Sequence, residues 1–288
     1  MTTPTLAPER FEAERPRLRA IAHRMLGSLA EADDAVQETW LRASRADVGE
    51  VNDLTAWLTT VVGRVSLNML RARRTRREEP LEAHDAPEDG DPEEEAVLAD
   101  SVGVALLVVL DTLTPAERLA FVLHDLFAVP FDAIAPLIER TPAAARQLAS
   151  RARRRVGGRT PSPAADAARQ RAAVEAFLAA TRAGDFEALV TLLHPDVVLT
   201  ADRFVVPTPQ PVTVTGARPV AEGAMAATGR ARFTGLALLD GRVGLAMAPL
   251  GRLRLVLLFT VADDGITRIE VVADRERLDG VEVAVLDA

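Results

Sequence analysis

Apolar residues recur at three- and four-residue spacing in the first quarter of the chain, a pattern typical of amphipathic helices. The first predicted helix ends at Gly27 and has one apolar face, made of Leu18, Ile21, Ala22, Met25 and Leu26. A second is predicted from about residues 30–33 to Ala43. A third is predicted over residues 53–76, with an apolar stripe of Trp57, Leu58, Val61, Val62, Val65 and Met69. Residues 9–77 are therefore expected to form an all-α domain.

A second helical domain is predicted over residues 100–157. Residues 98–110 are mostly apolar and predict a helix. Thr114, Pro115 and Glu117 then supply the cap, first-turn proline and capping-box glutamate of a helix over residues 115–127. Two further helices, over residues 131–138 and 142–156, follow in close succession. Two helices joined by a tight turn indicate a helix-turn-helix candidate.

The pattern changes after a second predicted linker, rich in Gly and Pro, at residues 158–165. Helices over residues 167–183 and 186–193 precede runs rich in Val, Leu and Thr, which predict strands at residues 197–201, 212–215, 236–238, 243–246, 252–261 and 266–273. Asp263-Asp264-Gly265 predicts a hairpin turn between the last two strands. Helices followed by consecutive strands indicate an α+β domain over residues 166–288. The expected fold class is multidomain, with two all-α domains followed by one α+β domain.

Arginine is concentrated in two of the predicted helices, although the formal net charge of the chain is −8. Six arginines fall within residues 64–77 and six within residues 140–155, whereas residues 78–95 hold ten carboxylates and no Arg or Lys. Clustered cations favour nucleic acid because they release counterions condensed on the phosphates. The acidic segment is expected to form a disordered linker over residues 78–99. Two basic modules on one tether predict a protein that contacts DNA twice.

Composition excludes several other classes of protein. The 288 residues include no cysteine, which rules out disulfide scaffolds, thiolate metal sites and cysteine nucleophiles. No run of about 18 uncharged apolar residues is present to span a membrane, and residues 1–8 lack the features of a secretion signal. The four histidines show no metal-ligand spacing. We expect a cytoplasmic protein with no metal or other cofactor.

The predicted helix at residues 142–155 has side chains suited to reading duplex DNA. Its apolar residues share one face, so the outward set should be Arg146, Gln147, Ser150, Arg151 and Arg154. Arg and Gln match the hydrogen-bonding edges of guanine and adenine in the major groove, and neighbouring arginines match phosphates. The alternative is a solvated basic helix face.

The end of the third predicted helix combines arginines with an asparagine. Asn68 lies near Arg71, Arg73 and Arg74, and two more arginines follow at positions 76 and 77. Phosphate contacts beside a polar group near a displaced base would suit single-stranded DNA. The alternative is a helix that ends in a solvated basic tail.

Three motifs in order resemble the sigma-70 family of bacterial transcription initiation factors. Residues 33–42 resemble the polymerase-binding signature of region 2, and residues 56–62 resemble the start of the helix that serves the −10 promoter element. Residues 113–118, followed by residues 144–153, resemble region 4, which binds the −35 element. The short tether between the two regions matches the extracytoplasmic-function (group 4) class.

The resemblance implies two partners, core RNA polymerase and promoter DNA. Residues 9–77 would be sigma region 2, in which Asp34, Gln37, Glu38 and Leu41 would contact polymerase. Asn68, Arg71, Arg73 and Arg74 would contact the −10 element, including a flipped base. Residues 100–157 would be region 4, with its second helix in the major groove at −35. The protein would not itself be an enzyme. A polymerase-independent helix-turn-helix regulator with a small-molecule sensing domain is the alternative.

The C-terminal segment carries a second resemblance. Residues 183–189 and 192–197 resemble the start of a SnoaL-like domain of the nuclear-transport-factor-2-like fold, which implies a regulatory extension that contacts the sigma domains. Such folds include cyclases and isomerases with an Asp base in an apolar cavity, for which the candidates are His194, Asp196, Asp202 and Asp240. Because the chain has no Tyr to donate to an oxyanion, we expect a regulatory or ligand-sensing domain.

The length of the acidic tether predicts two arrangements of the helical domains. The acidic stretch at residues 78–95 has 18 residues and extends to at most about 60 Å, so regions 2 and 4 can either pack together or separate. We expect the C-terminal domain to bias that equilibrium.

Overall fold

Three long helices build the first part of the chain. They are α1 (Pro8–Leu26), α2 (Leu29–Ala43) and α3 (Leu54–Glu78), in a computed structural model that describes residues 6–46, 51–78, 103–157, 164–205, 208 and 210–286. The predicted apolar face of α1 is buried. Gly27 ends α1 with φ of 82°, a left-handed conformation that glycine adopts without strain. Ser28 then begins α2 by accepting the backbone N–H of Glu31.

Four helices follow in the next described segment. They are α4 (Val104–Thr112), α5 (Pro115–Phe121), α6 (Phe131–Ile134) and α7 (Pro142–Gly157). The predicted capping box is present, since Thr114 Oγ1 accepts the N–H of Glu117 and the Glu117 carboxylate accepts the N–H of Thr114. The helix predicted over residues 115–127 continues past α5 as a π-helix, Val122–Leu126, and α6 continues as a 3-10 turn, Ala135–Leu137.

The described residues form two compact units, and the boundary falls within α4. The helical unit comprises residues 6–78 and 110–154, and the sheet unit comprises residues 103–109 and 155–286. Residues 79–99 and 158–163 of the two predicted linkers lie outside the described residues, as do residues 98–102 of the predicted apolar helix. No helix of the described segments is long and apolar enough to cross a membrane.

The sheet unit contains seven described strands and, besides the start of α4, five helices. The helices are α8 (Ala164–Ala183), α9 (Phe186–Leu192), α10 (Ala217–Ala226), α11 (Thr228–Ala231) and α12 (Arg275–Asp279). The strands are β1 (Leu193–Ala201), β2 (Val212–Thr215), β3 (Thr234–Leu239), β4 (Arg242–Met247), β5 (Leu255–Ala262), β6 (Gly265–Val272) and β7 (Val283–Ala284). The six predicted strands are all present with shifted ends, except for β2, whose bounds match.

One mixed sheet holds all of these strands in the order β2-β1-β6-β5-β4-β3-β7. Strands β1 and β6 pair in parallel and the other neighbours pair antiparallel. The predicted turn closes the β5–β6 hairpin, in which Ala262 pairs with Gly265. The sequence analysis did not identify α10, α11, α12 or β7, of which the last three are only four, five and two residues long.

The two faces of the sheet are covered by different helices. On one face, Val174, Phe177 and Leu178 of α8 join a buried cluster with residues of the central strands. On the other face, Ala105 of α4 joins a buried cluster with Ala237, Leu239, Ala246, Val256, Val272 and Leu278. Gly235 permits this second contact, because a Cβ at that position would lie 2.9 Å from the Cβ of Val104. The start of α4 is thus part of the core of the sheet unit.

Candidate nucleic-acid interface

One face of α2 carries the four side chains predicted to contact polymerase. Gln37 and Glu38 lie three and four positions after Asp34, and Leu41 lies four and three positions after them, so the four residues share one side of the helix. All four are exposed or half-exposed, and Leu41 keeps 40% of its surface accessible. Arg42 donates to the Glu38 carboxylate across 2.8 Å, which holds that acid at the edge of the face. The arrangement presents carboxylates around an apolar centre, a composition suited to a protein partner.

The basic end of α3 divides into two environments. Asn68, Arg71 and Arg74 are exposed and follow one another at three-residue spacing, so they lie on one side of the helix. The side chain of Arg73 is only 17% exposed, and its Nη1 donates to the carbonyl oxygen of Leu26 and to the Glu31 carboxylate, each at 3.2 Å. Three of the four residues predicted for the −10 element are therefore together, whereas Arg73 ties α3 to the other two helices.

Helix α7 presents the predicted outward face. Ala145, Ala149, Ala152 and Val156 are buried, as expected. The opposite face is exposed at Arg146, Gln147, Arg151 and Arg154 and half-exposed at Ser150. These five residues were the ones predicted for the −35 element. The cap is also as predicted, because Thr141 Oγ1 accepts the N–H of Ala144 at 3.2 Å.

An ion pair that the sequence analysis did not predict links α7 to the turn after α5. Arg153 Nε lies 3.0 Å from the carboxylate of Asp125, which belongs to the π-helical turn after α5. Burial raises the pKa of Asp125 above its ordinary value, although the Arg153 guanidinium opposes the shift. Because the partner lies 28 positions earlier in a different helix, periodicity within α7 gives no sign of this contact.

Two aromatic rings support the first helix of the helix-turn-helix. The imidazole of His124 stacks on the ring of Phe131 with centroids 3.8 Å apart, and its Nδ1 lies 3.0 Å from the carbonyl oxygen of Val129. The Arg146 guanidinium lies 5.3 Å from the Phe131 centroid. The exposed face of α7 is therefore connected to the π-helical turn through packed side chains.

Within the helical unit, α3 packs directly against α5. Gly63 makes the approach close, because a Cβ at that position would lie 3.3 Å from Leu123 Cδ1, 3.5 Å from Leu119 Cδ1 and 3.7 Å from Leu137 Cδ1. The segments predicted as regions 2 and 4 thus share an apolar contact.

A buried arginine adds a polar element to the same contact. The side chain of Arg118 in α5 is 3% exposed, and its Nε donates to the carbonyl oxygen of Arg24 in α1 at 3.1 Å. Burial lowers the pKa of Arg118 to about 10, with Asp111 opposing the shift from 3.7 Å. Burying a cation is costly unless it is fully paired. This contact is therefore less stabilising than an apolar interface of the same size.

The exposed arginines of α3 also face the start of α5. Arg71 and Arg74 line a cleft together with Thr114, Pro115 and Ala116. In this arrangement the predicted −10 surface lies beside region 4 and has solvent access on only part of its perimeter.

The carboxylate of Asp202 in the sheet unit has a structural role. It accepts the backbone N–H groups of Phe204, Ala273 and Asp274 at 2.7–3.0 Å. Burial would raise the pKa of Asp202, but these three hydrogen bonds outweigh it and hold the pKa below its ordinary value. A carboxylate of lowered pKa is a weak general base near neutral pH.

The other candidate catalytic groups of this unit also bond to nearby backbone or side chains. Asp240 accepts the N–H of Glu282 at 2.9 Å. His194 Nδ1 accepts the N–H of Asp196 at 3.1 Å, and its Nε2 lies 3.2 Å from the Asp264 carboxylate. Among the described residues, no group of three His, Asp or Glu side chains is arranged to hold a metal ion.

Comparison with known proteins identifies both helical segments. The family profile described as Sigma-70 region 2 matches residues 10–76, and the one described as Sigma-70, region 4 matches residues 103–156. The ECF RNA polymerase sigma factor SigJ of Mycobacterium tuberculosis is 43% identical over 204 residues, which cover 67% of this chain and 64% of that protein. The probable ECF RNA polymerase sigma factor SigI of the same species is 37% identical over 193 residues, covering 65% and 67%.

A solved structure of a sigma factor is also similar to this chain. The crystal structure of the M. tuberculosis extracytoplasmic function sigma factor SigJ aligns with 95% of this chain and 99% of that one, at 33% identity and a TM-score of 0.44. In the sequence comparison the chain spans slightly less than two thirds of the length of SigJ. With region 2, region 4 and these relatives in agreement, the chain belongs to the extracytoplasmic-function sigma factors of the sigma-70 family.

Proposed function

We propose that this protein binds core RNA polymerase and directs it to a set of promoters through the −10 and −35 elements. The observation that supports this most is the presence of three separate exposed faces on the segments that match regions 2 and 4. The α2 face would contact polymerase, the end of α3 would contact opened DNA, and α7 would enter the major groove. Its place of action would be the cytoplasm, where polymerase and promoters are found.

Run-off transcription with reconstituted core polymerase tests this proposal. The full chain should give the polymerase a start-site preference that core polymerase alone lacks. If no preference appears on any genomic promoter library, the proposal is wrong. Tight, specific binding of duplex DNA by the isolated chain would instead favour a polymerase-independent regulator.

The polymerase contact can be tested by a matched pair of leucines. Leu41 and Leu126 are 40% and 37% exposed, but only Leu41 lies on the α2 face. We expect Leu41→Ala to weaken core binding about tenfold, as loss of a central interface residue does, and Leu126→Ala to leave it unchanged. Equal affinities for the two variants would argue against the α2 face.

We also infer that the packed helical unit is not the promoter-bound form. The −10 and −35 elements are about 25 base pairs apart, which is about 85 Å along B-DNA at 3.4 Å per base pair. Regions 2 and 4 cannot read both elements while α3 packs against α5. The costly burial of Arg118 makes this contact easier to open than an apolar one would be.

The sheet unit is proposed to be a SnoaL-like domain with a regulatory role. In support, it combines a long helix, a mixed sheet and an apolar cavity, the features expected of that fold. The start of α4 lies inside the span of region 4 and also inside the core of the sheet unit. The sheet unit and region 4 therefore share residues of α4.

A further inference from the structure

A cavity of about 220 Å³ lies within the sheet unit, lined by residues of α8, α10 and several strands of the sheet. Its described lining is almost entirely apolar, with Phe177, Leu199, Leu245, Met247 and Leu257 among its walls. Gly223 and Arg230 also line it and are exposed to solvent, so the cavity opens beside them. A small molecule can therefore reach it without unfolding of the unit.

The polar groups inside this cavity have already used their donor hydrogens. The Thr181 hydroxyl donates to the carbonyl oxygen of Phe177 at 2.8 Å, and the Thr234 hydroxyl donates to the carbonyl oxygen of Arg230 at 3.1 Å. An anionic group placed deep inside would therefore lose its hydration without gaining a hydrogen bond from either threonine, which is costly. The interior favours an apolar group.

The mouth of the cavity has the opposite character. Arg230 is the charged member of the described lining, and its guanidinium is not in an ion pair with any described residue. A planar guanidinium matches a carboxylate in bidentate geometry. An anionic head group at this position would be paired while its apolar body remained in the cavity.

The lining also favours binding over turnover. Asp202, Asp240, His194 and Asp196 are absent from the described walls, and those walls include no other carboxylate or imidazole. General acid–base catalysis needs such a group within hydrogen-bonding distance of the reacting atoms.

We propose that this cavity binds a small apolar monocarboxylate, with its apolar body inside and its carboxylate on Arg230. Size sets the class of ligand, because a cavity of about 150 Å³ accommodates benzene. The larger volume here fits one aromatic ring with a short alkyl chain, on the order of ten carbon atoms.

Titration calorimetry on the full chain tests this proposal with two probes that differ only in charge, 4-phenylbutanoate and 4-phenylbutan-1-ol. We expect 4-phenylbutanoate to bind with a dissociation constant below about 1 mM, a modest affinity for a ligand of this size. Arg230→Gln should weaken binding of the acid about five- to tenfold and leave binding of the alcohol unchanged.

A pair of alanines on α10 tests the location. Ala224 lines the cavity, whereas Ala226 is exposed on the same helix and does not. Ala224→Phe should fill the cavity and abolish binding of both probes, while Ala226→Phe should bind them as the unchanged chain does, with equal circular dichroism confirming the fold.

Three results would overturn the proposal. These are no binding of either probe at several millimolar, unchanged binding by Ala224→Phe, and equal weakening of acid and alcohol by Arg230→Gln. Since the titrations contain neither polymerase nor DNA, they are independent of whether the chain initiates transcription.

Discussion

At the scale of single residues, Arg71 and Arg73 of α3 differ in environment although one position separates them. Arg73 is held by Leu26 and Glu31, whereas Arg71 is exposed beside Asn68. We expect Arg73→Ala to lower the free energy of unfolding by about 1–3 kcal/mol, because it removes hydrogen bonds of a charged, partly buried group. Urea denaturation of the full chain measures this change.

Arg71→Ala is the matched control for that substitution. It should change the free energy of unfolding by less than about 0.5 kcal/mol, as surface substitutions usually do, and weaken binding of opened promoter DNA by the polymerase complex. If Arg71→Ala destabilises the fold as much as Arg73→Ala does, the division between a DNA-facing and an inward-facing arginine is wrong.

His23 makes the stability of the helical unit depend on pH. Its side chain is 3% exposed, and burial, together with Arg24, Arg118 and Arg19, lowers its pKa from 6.5 to about 4. Between these values the unfolded chain binds a proton that the folded chain does not, so stability falls as the pH falls. From this residue alone, we expect the free energy of unfolding to fall by about 2 kcal/mol between pH 7 and pH 5.

Denaturation of His23→Leu at both pH values isolates this contribution. The His23 Nδ1 atom is buried and makes no hydrogen bond within the described segments, so an apolar side chain of similar volume should be tolerated. Over this pH interval, the free energy of unfolding of the variant should fall by about 2 kcal/mol less than that of the unchanged chain. If the free energy of unfolding falls equally in both proteins, the pH dependence comes from carboxylates elsewhere.

At the scale of elements, the exposed face of α7 predicts which −35 contacts carry specificity. Arg146 and Gln147 lie near the N-terminal end of the helix, which enters the groove first in helix-turn-helix modules. Arg146→Ala and Gln147→Ala should each weaken the free energy of promoter binding by about 1–3 kcal/mol when particular −35 bases are present. Arg151→Ala, one turn later on the same face, should weaken all −35 sequences alike.

A promoter library with every −35 base varied measures both effects in one run-off assay. We expect the Arg146 and Gln147 variants to lose transcription only at promoters with particular −35 bases. The Arg151 variant should lose transcription equally at all of them. Uniform losses for all three variants would mean that α7 grips phosphates without reading bases.

The contact between α4 and the sheet provides a second element-scale prediction. Gly235→Ala would place a Cβ 2.9 Å from Val104 Cβ, so α4 must move away from β3. We expect a destabilisation of about 1–3 kcal/mol from this overpacking, with faster hydrogen exchange at the amides of Leu106 and Leu107. Gly229→Ala is the control, because a Cβ there meets nothing within 4 Å. Unchanged exchange in Gly235→Ala would contradict the packing of α4 on the sheet.

The same elements indicate how far sequence can predict this fold. The faces of α1 and α7 followed from periodicity, because each helix buries a continuous stripe against its neighbours. The direction of Arg73 did not follow, since Glu31 lies 42 positions away in another helix. The roles of Asp202 and Arg153 were likewise outside the reach of local pattern, because their partners belong to other elements. Tertiary contacts determine the directions and roles of these side chains.

At the scale of the whole molecule, a single sheet separates the cavity from α4 within the sheet unit. Side chains alternate between the two faces of a strand. Thr234 and Leu245 line the cavity, and the next residues along each strand, Gly235 and Ala246, face the α4 side. A ligand that shifts these strands would therefore be felt at the start of α4, which packs on the opposite face of the same sheet.

Within the helical unit, Gly63 offers a way to force regions 2 and 4 apart, because α3 packs against α5 at this residue. Gly63→Leu would insert a branched side chain among Leu119, Leu123 and Leu137, so we expect regions 2 and 4 to separate. Because the chain has no cysteine, dyes can be attached at Arg10→Cys and Asp132→Cys, two exposed positions on α1 and α6. Energy transfer between the dyes should fall in Gly63→Leu.

Gly63→Ala is the matched control, since its Cβ needs Leu123 to give by only a few tenths of an ångström. It should retain the energy transfer of the unchanged chain, whereas core polymerase with promoter DNA should lower the transfer in all three proteins. Gly63→Leu should also reach half-maximal run-off transcription at a lower protein concentration, because the packed form no longer competes with promoter binding. If Gly63→Leu opens the unit but transcribes no better than Gly63→Ala, the α3–α5 contact does not restrain activity.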